Sequence, residues 1–166
     1  GGGRQILIQR GAKEYPRLAG SVFWLALSFN VLAGGVLAAL SPMIAREYGN
    51  PVYVNMLLLI ALSMPLATPG SVLSAKLWTD LRAGPYAMIQ MGSALVRYGG
   101  AVALAKLGFG PMSWSWPLVG LAVWEALAYL VVTRDFSWLK KPDTSLWWEM
   151  IRTSKWVMLL ALALAM

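Results

Sequence analysis

Four long apolar stretches, at residues 18–45, 52–75, 85–105 and 114–133, alternate with short polar segments along this 166-residue chain. A helix rises about 1.5 Å per residue, so about 20 apolar residues cross a hydrocarbon core about 30 Å thick. Each stretch is long enough to span, and the pattern predicts an all-α, polytopic transmembrane helix bundle. A fifth apolar run begins near Trp156 and stops at Met166, about half a span and too short to cross. The predicted organisation is four full spans over residues 1–142. Residues 143–166 then form an interfacial helix leading into a truncated fifth span. Asp143 or Thr144 caps that short helix, and Leu146, Trp147, Met150 and Ile151 share one side of it.

The polar segments carry unequal positive charge. Eleven of the fourteen basic residues fall before the first stretch, between the second and third, or after the fourth. Two, Arg46 and Lys106, fall in the other connections, and Arg97 lies inside the third stretch. Basic loops stay cytoplasmic, so loops 1–17, 76–84 and 134–155 are expected inside and the two remaining turns outside. Trp78, Tyr86, Trp114, Trp116, Trp138, Trp147, Trp148 and Trp156 lie near the span ends, where amphipathic rings prefer to sit. The net charge of +7 is thereby explained as topology, and no continuous basic patch points to nucleic acid.

Composition narrows the chemistry. The chain is 58% hydrophobic and 13% charged, with a mean hydropathy of +0.61, which excludes a disordered protein. Without Cys or His it has no disulfide, thiolate metal site or imidazole acid–base group. Its seven acidic residues are scattered, so no metal cage and no cofactor is expected. No nucleophile elbow, phosphate loop or metal motif is present, and no enzyme is predicted.

The residues to explain lie within the spans. Arg97 is about 18 Å in from the cytoplasmic side of the third stretch and Glu125 about 16 Å in from the outer side of the fourth. Both are expected near the midplane. A charge there costs at least about 2.5–3.5 kcal/mol, and it faces the bundle interior and finds a partner. An Arg97–Glu125 pair is one expectation; a polar cavity for a charged substrate, with Asn30 and Gln90 as further candidates, is the other. Ser28 and Ser93 add polarity, which more often bridges helices. Gly34-Gly35 and Gly99-Gly100 allow close packing. Pro65, Pro69 and Gly70 should bend the second stretch and are hinge candidates, since proline removes a backbone donor.

The order of features then resembles a known family. Gln5-Ile6-Leu7-Ile8-Gln9-Arg10 precedes a polar turn and a span with Phe23-Trp24-Leu25. Leu40-Ser41-Pro42-Met43-Ile44-Ala45 and Tyr48-Gly49-Asn50-Pro51 close the first stretch. Asp80-Leu81-Arg82 precedes the third, and Leu107-Gly108-Phe109-Gly110 with Trp114 introduces the fourth. This resembles the polysaccharide-biosynthesis flippases (O-antigen, teichuronic-acid and exopolysaccharide translocases) of the multidrug/oligosaccharidyl-lipid/polysaccharide exporter superfamily, over nearly the whole chain. The resemblance implies an internal piece of a protein of about twelve to fourteen helices in two lobes. This piece would run from the end of the second helix to the start of the seventh, with the second lobe as partner. It also implies residence in the bacterial inner membrane and transfer of a polyprenyl-pyrophosphate-linked glycan, for lipopolysaccharide or exopolysaccharide, from the inner to the outer leaflet. Arg97 is placed in the cavity by its location, because the family has no fixed catalytic signature. Three alternatives remain, one of them a non-transporting assembly or scaffold subunit, for which buried charges and a helix broken by two prolines are less natural. A multidrug/cation antiporter of the same superfamily would use Glu125. A membrane glycosyltransferase or ligase would need larger external loops.

Overall fold

The computed structural model describes residues 2–139, and within them every regular element is helical. The predicted interfacial helix and truncated fifth span lie outside the described residues. Helix α1 runs Gly2–Glu47, α2 Val52–Leu66, α3 Thr68–Thr79, α4 Ala83–Ala94, α5 Gly100–Lys106 and α6 Met112–Thr133. A five-residue π-helical turn, Leu95–Gly99, joins α4 to α5, and a 3-10 turn covers Ser137–Leu139.

Two of these helices are long and apolar enough to cross a membrane: the Leu18–Glu47 part of α1, and α6. The pair α2–α3 makes a third when counted as one broken span, bent by 43°. The third predicted stretch is helical from Ala83 to Lys106, but the π turn divides it into shorter helices. The expected polar turn ahead of Phe23 is absent. Instead α1 is continuous over 46 residues, about 69 Å at 1.5 Å per residue. Pro16 forfeits one backbone hydrogen bond, and the helix runs on through it.

The helices form a row rather than a closed bundle. α1 packs on α2 and α3; these pack on α6; α6 packs on α4, the π turn and α5. Among the described residues α1 touches none of α4, α5 and α6. Small residues set the spacing. A Cβ on Gly34 would lie 2.7 Å from the Ala61 carbonyl oxygen, so α1 and α2 meet backbone to backbone there. Buried apolar side chains gather at one end of the row. Tyr15, Leu18, Ala19, Val22, Phe23, Val72 and Ala75 form one cluster, and Leu73, Leu77, Ile89 and Tyr129 another.

The helices end in chain reversals. After α1 and after α5, Gly49 (φ 65°) and Gly108 (φ 83°) take the left-handed conformation. The bonds Asn50 N–H to Ala45 and Phe109 N–H to Leu104, each 3.1 Å, close the paired capping pattern. After α3 the same pattern is closed by Arg82 N–H to the Leu77 carbonyl at 2.9 Å, but the left-handed residue is Leu81 (φ 54°). After α6 it is Arg134 (φ 47°). A side chain at positive φ costs about 1–3 kcal/mol and persists only where its surroundings hold it.

Candidate functional site

The break in the second span is the first element of the site. Pro65 sits in the last turn of α2 and Pro69 in the first turn of α3, and the helix axis turns between them. Asn30 and Thr68 brace the bend. The Asn30 amide on α1 donates to the fully buried Thr68 hydroxyl at 2.9 Å, and that hydroxyl donates to the Met64 carbonyl at 3.4 Å. Ser28 turns back to its own helix, donating to the Trp24 carbonyl at 2.8 Å.

Gly70 is buried against α6. A Cβ there would lie 3.2 Å from the Glu125 Cβ and 3.4 Å from the Ala126 nitrogen. The first turn of α3 therefore rests on the backbone of α6 beside Glu125. From the other side the Ser93 hydroxyl donates to Glu125 Oε1 at 2.9 Å. Glu125 thus stands where three helical segments meet: the broken end of α3, the end of α4, and α6.

The expected Arg97–Glu125 ion pair does not form among the described residues, and the register between antiparallel helices explains why. Gly100 lies against Pro117, Gly120 against Val96 and Gly92 against Trp124, while Gln90 donates to the Tyr129 hydroxyl at 2.9 Å. In this register Glu125 faces Ser93. Arg97 is four residues further along, about 6 Å. Its side chain runs on in that direction and away from Glu125. The guanidinium carbon lies 5.9 Å from the Trp114 ring and 5.6 Å from the Tyr98 ring. Its buried Nε has no hydrogen-bond partner among the described residues. Arg97 also lies within the π turn, a distortion that recurs at functional sites. Counting depth from each helix end put both charges near the midplane. Only the interhelical register shows that they diverge.

Of the four predicted cavity residues, the structure brings Gln90 and Glu125 onto one seam with Ser93 and Tyr129. It places Asn30 apart, at the helix break, and directs Arg97 toward the Gly108 end.

A second polar cluster was missed in the sequence. At the opposite end of the row, Lys76 Nζ contacts Asp135 Oδ2 at 3.1 Å, the side chains being 28% and 12% exposed. Asp135 also accepts from the Ser137 N–H and hydroxyl, each at 2.9 Å, and its carbonyl accepts from the Trp138 indole at 2.9 Å. Trp138 packs edge-on against Phe23 of α1. Tyr15 donates to the Val72 carbonyl at 3.2 Å, and Lys76 Nζ lies 5.9 Å from its ring. Burial pushes the Tyr15 hydroxyl well above the ordinary phenol range, helped by the carboxylates of Asp135 and Asp80. Burial works to raise the Asp135 carboxyl too, but the Ser137 hydrogen bonds and Lys76 outweigh it and hold the group below its usual value. The signal was present: Asp135 and Ser137 have the spacing at which an Asp side chain bonds the backbone two residues on. Lys76, read as a loop charge, lies in the last turn of α3.

Among the described residues no three His, Cys, Asp or Glu side chains converge on a possible metal position. The arrangement supports bracing of the helices by polar side chains. A family model described as "Polysaccharide biosynthesis protein" matches residues 1–165. No curated protein and no solved structure gives a match.

Proposed function

The chain belongs to the polysaccharide biosynthesis protein family, and from that premise we propose that it is part of a flippase lobe. The lobe carries a polyprenyl-pyrophosphate-linked glycan from the inner to the outer leaflet of a bacterial cytoplasmic membrane. In this reading α1, α2–α3, α4–α5 and α6 are four crossings. The Lys76–Asp135 end faces the cytoplasm, following the charge asymmetry of the loops. The row of helices works against a second lobe of the same polypeptide, and Pro65, Pro69 and Gly70 form the hinge of a moving helix.

The observation that carries the proposal is the combination, within apolar helices, of a braced helix break and charged side chains that do not neutralise one another. Broken helices and intramembrane charges line transport pathways, where freed backbone and ionic groups meet water or substrate. Transport also suits the short turns at residues 48–51 and 107–111, which offer no room for the external catalytic loops of a glycosyltransferase or ligase. A cation antiporter is the second reading, favoured by one fact: Glu125 has a hydroxyl partner and, among the described residues, no cationic one.

The test is removal of the full-length gene from its source. A flippase requires that the lipid-linked glycan still be made but accumulate in the inner leaflet, with surface glycan lost and restored by complementation. Loss of the lipid-linked glycan itself would place the protein among the assembly enzymes. Unchanged glycan with altered drug or cation efflux would favour the antiporter.

A further inference from the structure

Prolines alone do not break helices in this chain. Pro42 and Pro117 lie inside α1 and α6, and both helices run on through them. Each proline leaves the carbonyl four residues before it without its helical donor. At Pro42 that carbonyl belongs to Ala38, and the Ser41 hydroxyl of the same helix donates to it at 2.8 Å. At Pro65 it belongs to Ala61, and the oxygen is turned toward the neighbouring helix: a Cβ on Gly34 of α1 would lie 2.7 Å from it. The hydrogen that glycine carries in place of a Cβ therefore points at the oxygen, the arrangement of a weak Cα–H···O contact. One turn earlier on α1, Asn30 donates to the Thr68 hydroxyl at 2.9 Å. Residues one turn apart share a helix face. Ala61 belongs to α2 and Thr68 opens α3, so one face of α1 holds a group from each arm of the break. On another side the break rests on α6 through Gly70.

We infer that α1 is a splint across the broken span. Gly34 fixes the α2 arm through the Ala61 carbonyl, and Asn30 fixes the α3 arm through Thr68. The bend of 43° is set by these two contacts and not by the prolines alone: Pro65 and Pro69 free the backbone to bend, and α1 selects the angle. The two contacts differ in kind. The Ala61 carbonyl has no donor in its own helix to return to, because Pro65 has no N–H. Thr68 keeps the Met64 carbonyl as an acceptor at 3.4 Å when Asn30 is withdrawn. Asn30 is therefore the contact that parts at the smaller cost, and a change of bend frees the α3 arm while α2 stays with α1. In the flippase reading this makes Asn30 the release of the hinge; that role rests on the reading, and the splint does not.

Two measurements on the purified full-length parent test the splint. The first follows the bend itself. Spin labels are placed at exposed positions, on Asn55→Cys in α2 and Asp80→Cys at the end of α3, in a background without other cysteines. Along a straight helix these positions are about 38 Å apart, and the bend brings them closer; pulsed electron–electron double resonance reads the separation. Asn30→Leu and Thr68→Val should each about double the width of the distance distribution, and the pair together should widen it no more than either alone. Thr68→Ser keeps the hydroxyl and should leave the distribution narrow. An unchanged width in Asn30→Leu, or widths that add in the pair, overturns Asn30 as the α3 contact. The second measurement uses the freed carbonyl. Gly34→Ala should lower the melting temperature of the parent. Pro65→Ala returns an N–H to the Ala61 carbonyl and should cut that loss by at least about half. An equal or larger loss in the Pro65→Ala background overturns the carbonyl contact and leaves ordinary close packing. Where Gly34→Ala alone does not accumulate, recovery of the protein on adding Pro65→Ala is the same test, and no recovery overturns the contact. Neither readout depends on transport, so a failed gene-removal test and a failed splint remain distinguishable.

Discussion

The two ends of the helical row are held in opposite ways. At the Lys76 end, α1, α3 and the segment after α6 are tied by an ion pair, four hydrogen bonds to or from Asp135 and Tyr15, and the Trp138–Phe23 contact. Two residues with side chains, Leu81 and Arg134, are held at positive φ there. At the Gly108 end the left-handed positions are glycines, and Ser113 bonds only locally, to the Gly110 carbonyl at 2.7 Å. Arg97, directed toward that end, has no ion-pair partner among the described residues. The break at Ala67 lies between the two ends. Strain is tolerated where surroundings overdetermine the backbone, and glycine serves where they do not.

The largest effect should come from the pinned end. Asp135→Ala strips acceptors from Lys76 and Ser137 and should cost about 2 kcal/mol, measured by denaturant unfolding of the full-length parent in micelles. Replacing both partners, as Lys76→Met with Asp135→Leu, should cost less, because no buried charge is left alone. A larger loss in the double variant would show that the latch is not an ion pair in substance.

The same latch should fade in acid. The Asp135 carboxyl is depressed in the folded protein, so its contribution is complete above the unfolded value of about 3.9 and is lost as pH falls through the native value. The difference in melting temperature between the parent and Asp135→Asn should therefore shrink from pH 7 to pH 3. A difference that is constant with pH would remove the carboxylate from the account.

The turns offer a reciprocal pair. Leu81→Gly should stabilise by about 1 kcal/mol by relieving positive φ, and Gly108→Ala should destabilise by about as much. Equal effects of the same sign would abolish the contrast between the ends. The smallest effect is expected at Arg97. Without an ionic partner its replacement by Leu should not destabilise the protein, because it removes a buried donor that has no hydrogen-bond partner among the described residues. A large stability loss would reveal a structural role at the loose end.

Several features follow from the sequence alone. Apolar length and periodicity determine that the chain is helical, because a run of about 20 apolar residues has few other ways to satisfy its backbone in a bilayer. Pro65 and Pro69 determine the place of the bend by removing donors. Gly49 and Gly108 mark reversals, and the motif order marks the family. Tertiary structure decided the rest. Spacing within one helix carries no information about its register against another, so Glu125 met Ser93 and not Arg97. Leu81 and Arg134 take left-handed backbone that their own preferences oppose, where the chain reverses after α3 and after α6. Asn30 and Gln90 looked alike as buried polar residues, yet one braces a helix break and the other bonds a tyrosine on α6. Lys76 and Asp135, 59 positions apart, became partners only when α3 packed against the end of α6, because an ion pair depends on distance in space and not on order along the chain.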